Sequence, residues 1–286
     1  MNKLNIKLLG IAAAGMLAAS PAWAVVTFGD GGAALQEVLD DITVATSTCT
    51  NTTTPTATSP EGSSTAEVGA GGCDSSINVN TNQTSPDSYW ELTASGGSVN
   101  TIIIELAAFA NGNKFGVYDM TDSSKRVEIF NGTDGASAQK TLSIMLDGSV
   151  KISGTDSGID FAGNKFGYYL DSSGQTLGTL GNPDYGFGGL FFSDQSLNTG
   201  DGVDHMAAYQ GVGDRTQLPN YYPGDWTDNE YVLAWEDLDG RAWTDNDYTD
   251  FVVMVESVNP VPAPATLALL GLGLIGMGYR ARRKTA

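Results

Sequence analysis

The sequence predicts an all-β fold: an antiparallel β-sandwich or jelly-roll-like body with one short N-terminal helix. Runs of β-branched and aromatic residues recur along the chain, and clusters of Gly, Asn, Asp and Ser separate them at short intervals. No long helical period lies between those runs, so βαβ units are not expected. A five-residue segment, Gly112-Asn113-Lys114-Phe115-Gly116, recurs as Gly163-Asn164-Lys165-Phe166-Gly167, as two equivalent hairpin edges of a double-sheet body would. Two copies are too few for a solenoid.

At the N-terminus, Lys3 and Lys7 precede an apolar core from Leu8 to Ala19, followed by Ala22-Trp23-Ala24. A charged start, a short apolar stretch and a small-x-small site read as a secretory signal peptide over 1–24, cut after Ala24 by signal peptidase, with Ala22 and Ala24 as the small residues. Beyond it, Leu35, Val38, Leu39 and Ile42 fall at i, i+3, i+4 and i+7. That spacing predicts a short amphipathic helix over Ala33 to Ile42, capped by Asp30 or Gly32 and lying over one end of a β core.

Thr43 to Pro86 is crowded with Thr, Ser, Asn and Gly and has too few apolar residues to build a core of its own. We read 25–86 as the helix followed by a long exposed excursion. Its two cysteines, Cys49 and Cys73, form an even pair in an exported segment and are expected to be disulfide-bonded. Such a closure stabilises by roughly 3–4 kcal/mol in the chain-entropy model.

The strands follow, in a body assigned to 87–258. Tyr89 to Thr93, Val99 to Phe109, Val127 to Phe130, Leu142 to Ile152, Phe166 to Leu170, Leu190 to Phe192, Tyr231 to Trp235 and Phe251 to Val255 carry the pattern. All 33 acids lie between the two ends of the chain, whereas two of the 14 cations belong to the leader and four to the tail, so the exported body has a formal charge of −25. Such a body repels nucleic acid and anionic lipid and attracts divalent cations.

The densest chemistry lies from Glu230 to Ser257. A strand ends in Glu236-Asp237, a turn follows at Asp239-Gly240, and Asp245, Asp247 and Asp250 gather before the last strand. Oxygen-only ligands on a turn suit a hard cation such as Ca²⁺, the one cofactor expected here. The spacing lacks the glycine and distal Glu of an EF-hand. His205, the single histidine, directly follows Gly200-Asp201-Gly202-Val203-Asp204 and can pair with Asp201 or Asp204. No Gly-x-Ser-x-Gly and no catalytic-cysteine context accompanies it, and we expect no enzyme. Tyr221, Tyr222 and Trp226 are the candidates for a glycan-stacking platform. A carbohydrate-binding module would therefore be the first alternative. A carboxylate-dependent polysaccharide hydrolase, working through paired acids, would be the second.

The chain closes in three parts over 259–286. Val261-Pro262-Ala263-Pro264 leads into an apolar run, and Arg280, Arg282, Arg283 and Lys284 end it. Prolines bound a helix on its N-terminal side, and the basic cluster favours the cytoplasm. Counted from Val261 to Tyr279 the segment would span roughly 28 Å as a helix, close to a hydrocarbon core of about 30 Å. This layout resembles the PEP-CTERM sorting tail of Gram-negative surface proteins, with Ala263 where that family has Glu. The resemblance implies transient membrane insertion, removal of the tail by an exosortase, and delivery to the cell envelope or extracellular matrix. There, a structural or adhesive role among exopolysaccharides is expected. The segment LAWEDL…DNDYTDFVVMVES is similar to the end of a domain of unknown function common in exported bacterial proteins. Glu236, Asp237, Asp245, Asp247 and Asp250 match that pattern, and Thr249 stands where the family has Asn. The second resemblance implies an all-β surface domain and no established catalysis.

Overall fold

The computed structural model describes residues 25–50, 73–93, 97–105, 109–175, 187–241 and 244–262. The signal peptide with Ala22 and Ala24, and the tail with Ala263, Pro264, Arg280, Arg282, Arg283 and Lys284, lie outside these residues. Among the described residues no helix is long and apolar enough to cross a membrane.

Among the described residues, one α-helix, α1 (Ala33–Ile42), precedes sixteen strands. They are β1 (Thr43–Ala45), β2 (Tyr89–Leu92), β3 (Ser98–Ile104), β4 (Lys114–Asp119), β5 (Asp122–Asn131), β6 (Gln139–Ile144), β7 (Ser149–Ile152) and β8 (Thr155–Asp160), then β9 (Lys165–Asp171), β10 (Leu190–Phe192), β11 (Met206–Gln210), β12 (Arg215–Thr216), β13 (Gly224–Asp225), β14 (Glu230–Trp235), β15 (Phe251–Glu256) and β16 (Val258–Val261). A seven-stranded sheet runs in the order β11-β14-β15-β3-β6-β7-β8. A second runs β16-β2-β9-β4-β5, with β10 also paired to β9, and a small sheet joins β1, β12 and β13. All pairings within them are antiparallel, for instance Trp235 opposite Phe251 and Val117 opposite Tyr168. The body is an antiparallel sandwich, as the strand pattern predicts.

The apolar side chains explain the layering. Trp90, Phe115, Phe166, Tyr168 and Leu170 of the second sheet meet Ile102, Leu142, Leu233, Trp235, Phe251 and Val253 of the first in one buried core. The alternate residues of β14 and β15, Val232, Ala234, Val252 and Met254, face the other way, onto Leu35, Val38, Leu39 and Ile42 of α1. Both faces of these strands are therefore covered, which is why they read as near-continuous apolar runs. A third cluster of Tyr89, Tyr118, Tyr169, Phe192 and Val261 lies on the second sheet.

Helix α1 has the bounds its periodicity predicts. Its first turn is capped by Asp30, whose carboxylate accepts from Gly32 N and Ala34 N at 2.7 Å each.

Several expectations are corrected. Leu142 to Ile152 is not one strand: Asp147-Gly148 turns it into the β6–β7 hairpin, with Gly148 at φ 92° and Asp147 Oδ1 accepting from Ser149. Of the expected run Val99 to Phe109, the strand covers residues to Ile104, Glu105 and Phe109 lie outside it, and 106–108 fall outside the described residues. The ends of the Thr43–Pro86 excursion are not exposed, because Val44, Cys73, Ile77 and Val79 are buried. Ile77 and Val79 join the core under α1, whose apolar surface would otherwise face water. The Cys49–Cys73 disulfide is present.

The two echo segments are not equivalent hairpin edges: the first leads into the tight β4–β5 hairpin, and the second leads into a strand flanked by β2 and β4. They lead into β4 and β9, which pair with each other near the middle of the second sheet, placing Gly116 opposite Tyr169 and Gly167 opposite Tyr118. Each glycine leaves room for the tyrosine of the other copy: a Cβ on Gly167 would come within 2.2 Å of the Tyr118 ring.

Finally, Val261 does not begin a helix. Val258–Val261 is an edge strand with Val261 opposite Tyr89 and Pro260 opposite Trp90. Pro is tolerated there because an edge strand has one unpaired side.

Candidate functional site

The acidic residues of the closing segment converge at one end of the sandwich. Glu236 and Asp237 follow directly from β14, and Asp250 immediately precedes β15, its neighbour, so strand pairing alone brings the three together. Asp245 and Asp247 come from the loop between these strands. Ligand atoms of Glu236, Asp237 and Asp250 lie within 4.8 Å of one another, as do those of Glu236, Asp245 and Asp247. Two oxygens on one Ca²⁺ can be at most about 5 Å apart, given Ca–O distances of about 2.3–2.6 Å.

The loop geometry is specific. Asn246 and Tyr248 both have positive φ, 51° and 58°. A bulky residue in the left-handed region is an outlier, held only where its surroundings demand it. Here Tyr248 is buried against the edge of Phe28, and its hydroxyl donates to the Asp204 carbonyl at 2.6 Å. Gly29 N donates to Asn246 O, and Asp245 O lies so close to Gly29 that a Cβ there would be 2.0 Å away. Asp247 Oδ1 accepts from Thr249 N and Thr249 Oγ1 at 2.8 Å, so Thr249 orients an acid of the cluster.

Two further residues, not expected from the sequence, complete the pocket. Asn113, just before β4, donates from Nδ2 to Asp237 Oδ2 at 2.9 Å. Glu105, just after β3, lies near Asn113 and Asp237. The sequence signal for Glu105 was an acid inside the apolar run VNTIIIELAAF. That for Asn113 was its place in the first copy of the echo; Asn164, in the second copy, is exposed.

What distinguishes this cluster from surface acids is unmet bonding. Asn113, Glu236 and Asp237 are each 1 % exposed. Among the described residues, Asn113 Oδ1, Glu236 Oε2, Asp237 Oδ1 and Glu105 Oε1 are buried with no hydrogen-bond partner. Buried polar atoms of native proteins are ordinarily satisfied, and an orphaned carboxylate oxygen is costly. Burial pushes the Glu236 carboxyl up to about 8 and Asp237 up to about 7, reinforced by Asp245. It pushes Glu105 up to about 8, against the bond from Asn113. Asp250 is raised well above the carboxylate range by burial and by Asp237, and Asp245 is raised by burial and by Asp247.

Asp239 is corrected: it does not join the cluster. Its carboxylate grips Arg241 through Nε at 2.9 and 3.0 Å and through Nη2, and these bonds lower its pKa. It forms a second node with Asp201 and His205. His205, 1 % exposed, is stacked on Phe191 with ring centroids 3.7 Å apart. Its Nε2 lies 2.9 Å from Asp201 Oδ2 and its Nδ1 3.1 Å from the Glu236 carbonyl, so it braces the backbone behind the acidic pocket. Burial pushes the Asp201 carboxyl up, but bonds from His205, Val203 and Gly240 outweigh it and hold the group well below the usual range. Asp201, not Asp204, is the histidine's side-chain partner.

The glycan platform is also corrected. Trp226 is fully buried in the core beneath α1, with Nε1 donating to Glu230 O at 3.0 Å. Tyr221 packs against the same core and donates to Ser137 O at 2.9 Å. Tyr222 alone is exposed, at 97 %, so the three rings present no common stacking face.

Comparison with known proteins agrees with the two ends of this picture. Residues 161–258 match the family described as Domain of unknown function (DUF4114), and residues 260–284 match the PEP-CTERM protein-sorting motif. No curated protein and no solved structure matches the chain. The sorting motif indicates an exported protein, made as a membrane-anchored precursor and processed to the cell surface by an exosortase-type enzyme. The match begins at Pro260, which is itself part of β16, so the sorting signal starts inside the folded sheet.

Proposed function

We propose that this exported protein, sorted to the cell surface by its PEP-CTERM motif, is a calcium-braced structural component of the envelope or extracellular matrix. The observation that supports this is the acidic cluster, where four buried oxygens of Glu105, Asn113, Glu236 and Asp237 have no hydrogen-bond partner among the described residues. A hard cation answers that need directly, because Ca²⁺ takes six to eight oxygen ligands and compensates several carboxylates at once. Extracellular calcium would keep the pocket filled after export, whereas an unfilled pocket leaves adjacent acids repelling one another. The ion would then lock the turn between β14 and β15 to the end of β3 and the start of β4, stiffening the end of the sandwich. The acidic surface of the body suits a hydrated polysaccharide matrix through shared divalent cations.

The test is fractionation of intact cells with their matrix. The protein should be retained in the matrix fraction and resist protease in the presence of Ca²⁺. EGTA should make it protease-sensitive, and Glu236→Gln should be sensitive in either condition. Equal protease resistance with Ca²⁺ and with EGTA would overturn the calcium brace. Recovery of the protein wholly in the free culture medium would overturn the matrix role.

A further inference from the structure

We infer that the acidic pocket holds two Ca²⁺ ions bridged by the Glu236 carboxylate, an inner ion on Asp237 and Asp250 and an outer ion on Asp245 and Asp247. This rests on the calcium reading above and adds the number of ions and their division between ligands.

Among the described residues two ligand groups exist, and Glu236 is the one residue they share. Its oxygens are suited to bridging. Oε2 is buried with no hydrogen-bond partner among the described residues, and Oε1 accepts a long 3.3 Å bond from Leu238 N. A carboxylate has two oxygens and about four lone-pair sites, so each oxygen can face one ion.

The protein's own hydrogen bonds divide the remaining ligands in the same way. Asp237 N donates to Asp250 Oδ2, which leaves Asp250 Oδ1 for the inner ion beside the orphaned Asp237 Oδ1. Asn113 Oδ1, also buried and unpartnered, lies on this inner side, because Asn113 Nδ2 is bonded to Asp237. On the outer side, Thr249 occupies Asp247 Oδ1 and leaves Oδ2. Asp245 is half-buried around its carboxyl but exposed as a whole, keeping part of its surface in solvent, so water can complete that shell.

Charge points the same way. Glu105, Glu236, Asp237, Asp245, Asp247 and Asp250 together make six carboxylates, and the charges acting on the buried ones are other carboxylates. One divalent ion compensates a third of that charge, and two compensate two thirds. Asp245 and Asp247, on the half-exposed loop, place ligand atoms within 4.8 Å of Glu236, a placement an inner ion alone would not need.

The experiment is equilibrium dialysis of the EGTA-stripped full chain against radioactive Ca²⁺, at physiological ionic strength with Mg²⁺ in excess to suppress diffuse binding by the acidic surface. Two ions per chain are expected, falling to one in the double variant D245N/D247N, whose changed residues lie on the exposed side and leave the core intact. One ion in the wild type would overturn the two-ion site while leaving the single calcium brace standing. No bound ion would overturn both. Two ions in the wild type and still two in D245N/D247N would overturn the assignment of the outer ion.

Discussion

Asn113 Nδ2 donates to Asp237 Oδ2 at 2.9 Å across 124 residues of sequence, and this bond joins the middle of one sheet to the acidic end of the other. It is a neutral donor on a buried acid, and the Oδ1 atoms of both residues have no hydrogen-bond partner among the described residues. Asn113→Ala should therefore act twice. Without Ca²⁺ it should destabilise by about 1–3 kcal/mol, the cost of an unmet buried acceptor. With Ca²⁺ it should weaken ion binding by roughly 10–100-fold, as loss of supporting partners does at metal sites. Calcium titration by calorimetry checks the second effect; an unchanged affinity would remove Asn113 from the site.

The pH dependence has a definite sign. Glu105 and Glu236 are raised to about 8 and Asp237 to about 7, mainly by burial. Asp204 is also raised to about 7, by burial. In the calcium-free protein the folded state therefore binds more protons than the unfolded chain between about pH 4.5 and 8. Stability is full below that window and falls as pH rises through it. With Ca²⁺ present the carboxylates are wanted in their charged form, so binding should tighten over the same window and release protons. Urea midpoints at pH 5 and pH 8, each with and without Ca²⁺, read both trends. A calcium-free protein more stable at pH 8 than at pH 5 would contradict them.

Much of this architecture was legible from periodicity. The bounds of α1 and the run Leu190–Phe192 emerge as read, because a helical stripe and a short apolar strand each leave one interpretation. The β11 and β16 strands were missed for opposite reasons: Met206–Gln210 is too small and mixed to signal, and Pro260 argues against a strand unless it is an edge. At the site, the acids near β14 and β15 could be gathered because strand pairing closes a short loop. Glu105 and Asn113 come from far away in sequence, and only the tertiary fold brings them in. Asp239 looked equivalent to its neighbours, but Arg241 two residues on claims its carboxylate.

The disulfide makes a separate prediction. Cys49 and Cys73 are 24 residues apart, and Cys73 is buried beside the strand that follows α1. Replacing both cysteines by serine should lower stability by roughly 3–4 kcal/mol from loop closure. Calcium stoichiometry should not change, since the bond lies away from the acidic pocket. Denaturation curves and calcium counts on the same variant separate the two effects.

The echo predicts a packing effect. A Cβ on Gly167 would fall 2.2 Å from the Tyr118 ring, and one on Gly116 would fall 2.2 Å from the Val127 carbonyl. Overpacking of this kind typically costs about 1–3 kcal/mol. Gly167→Ala should show a loss in that range, recovered in part by Tyr118→Phe, Gly167→Ala, which removes the hydroxyl from the crowded end of the ring. An unaffected Gly167→Ala protein would mean the two copies of the echo do not pack as paired glycine and tyrosine.

The calcium brace itself is tested most directly by a thermal melt of the full chain in EGTA and in excess Ca²⁺. At a free calcium concentration 100 times the dissociation constant, a single site should add about 2.7 kcal/mol. For a body of this size that corresponds to a rise of roughly 5–10 °C in the midpoint. A clear rise with Ca²⁺ that disappears in Glu236→Gln is the predicted result. Superimposable melts in EGTA and in Ca²⁺ would contradict it.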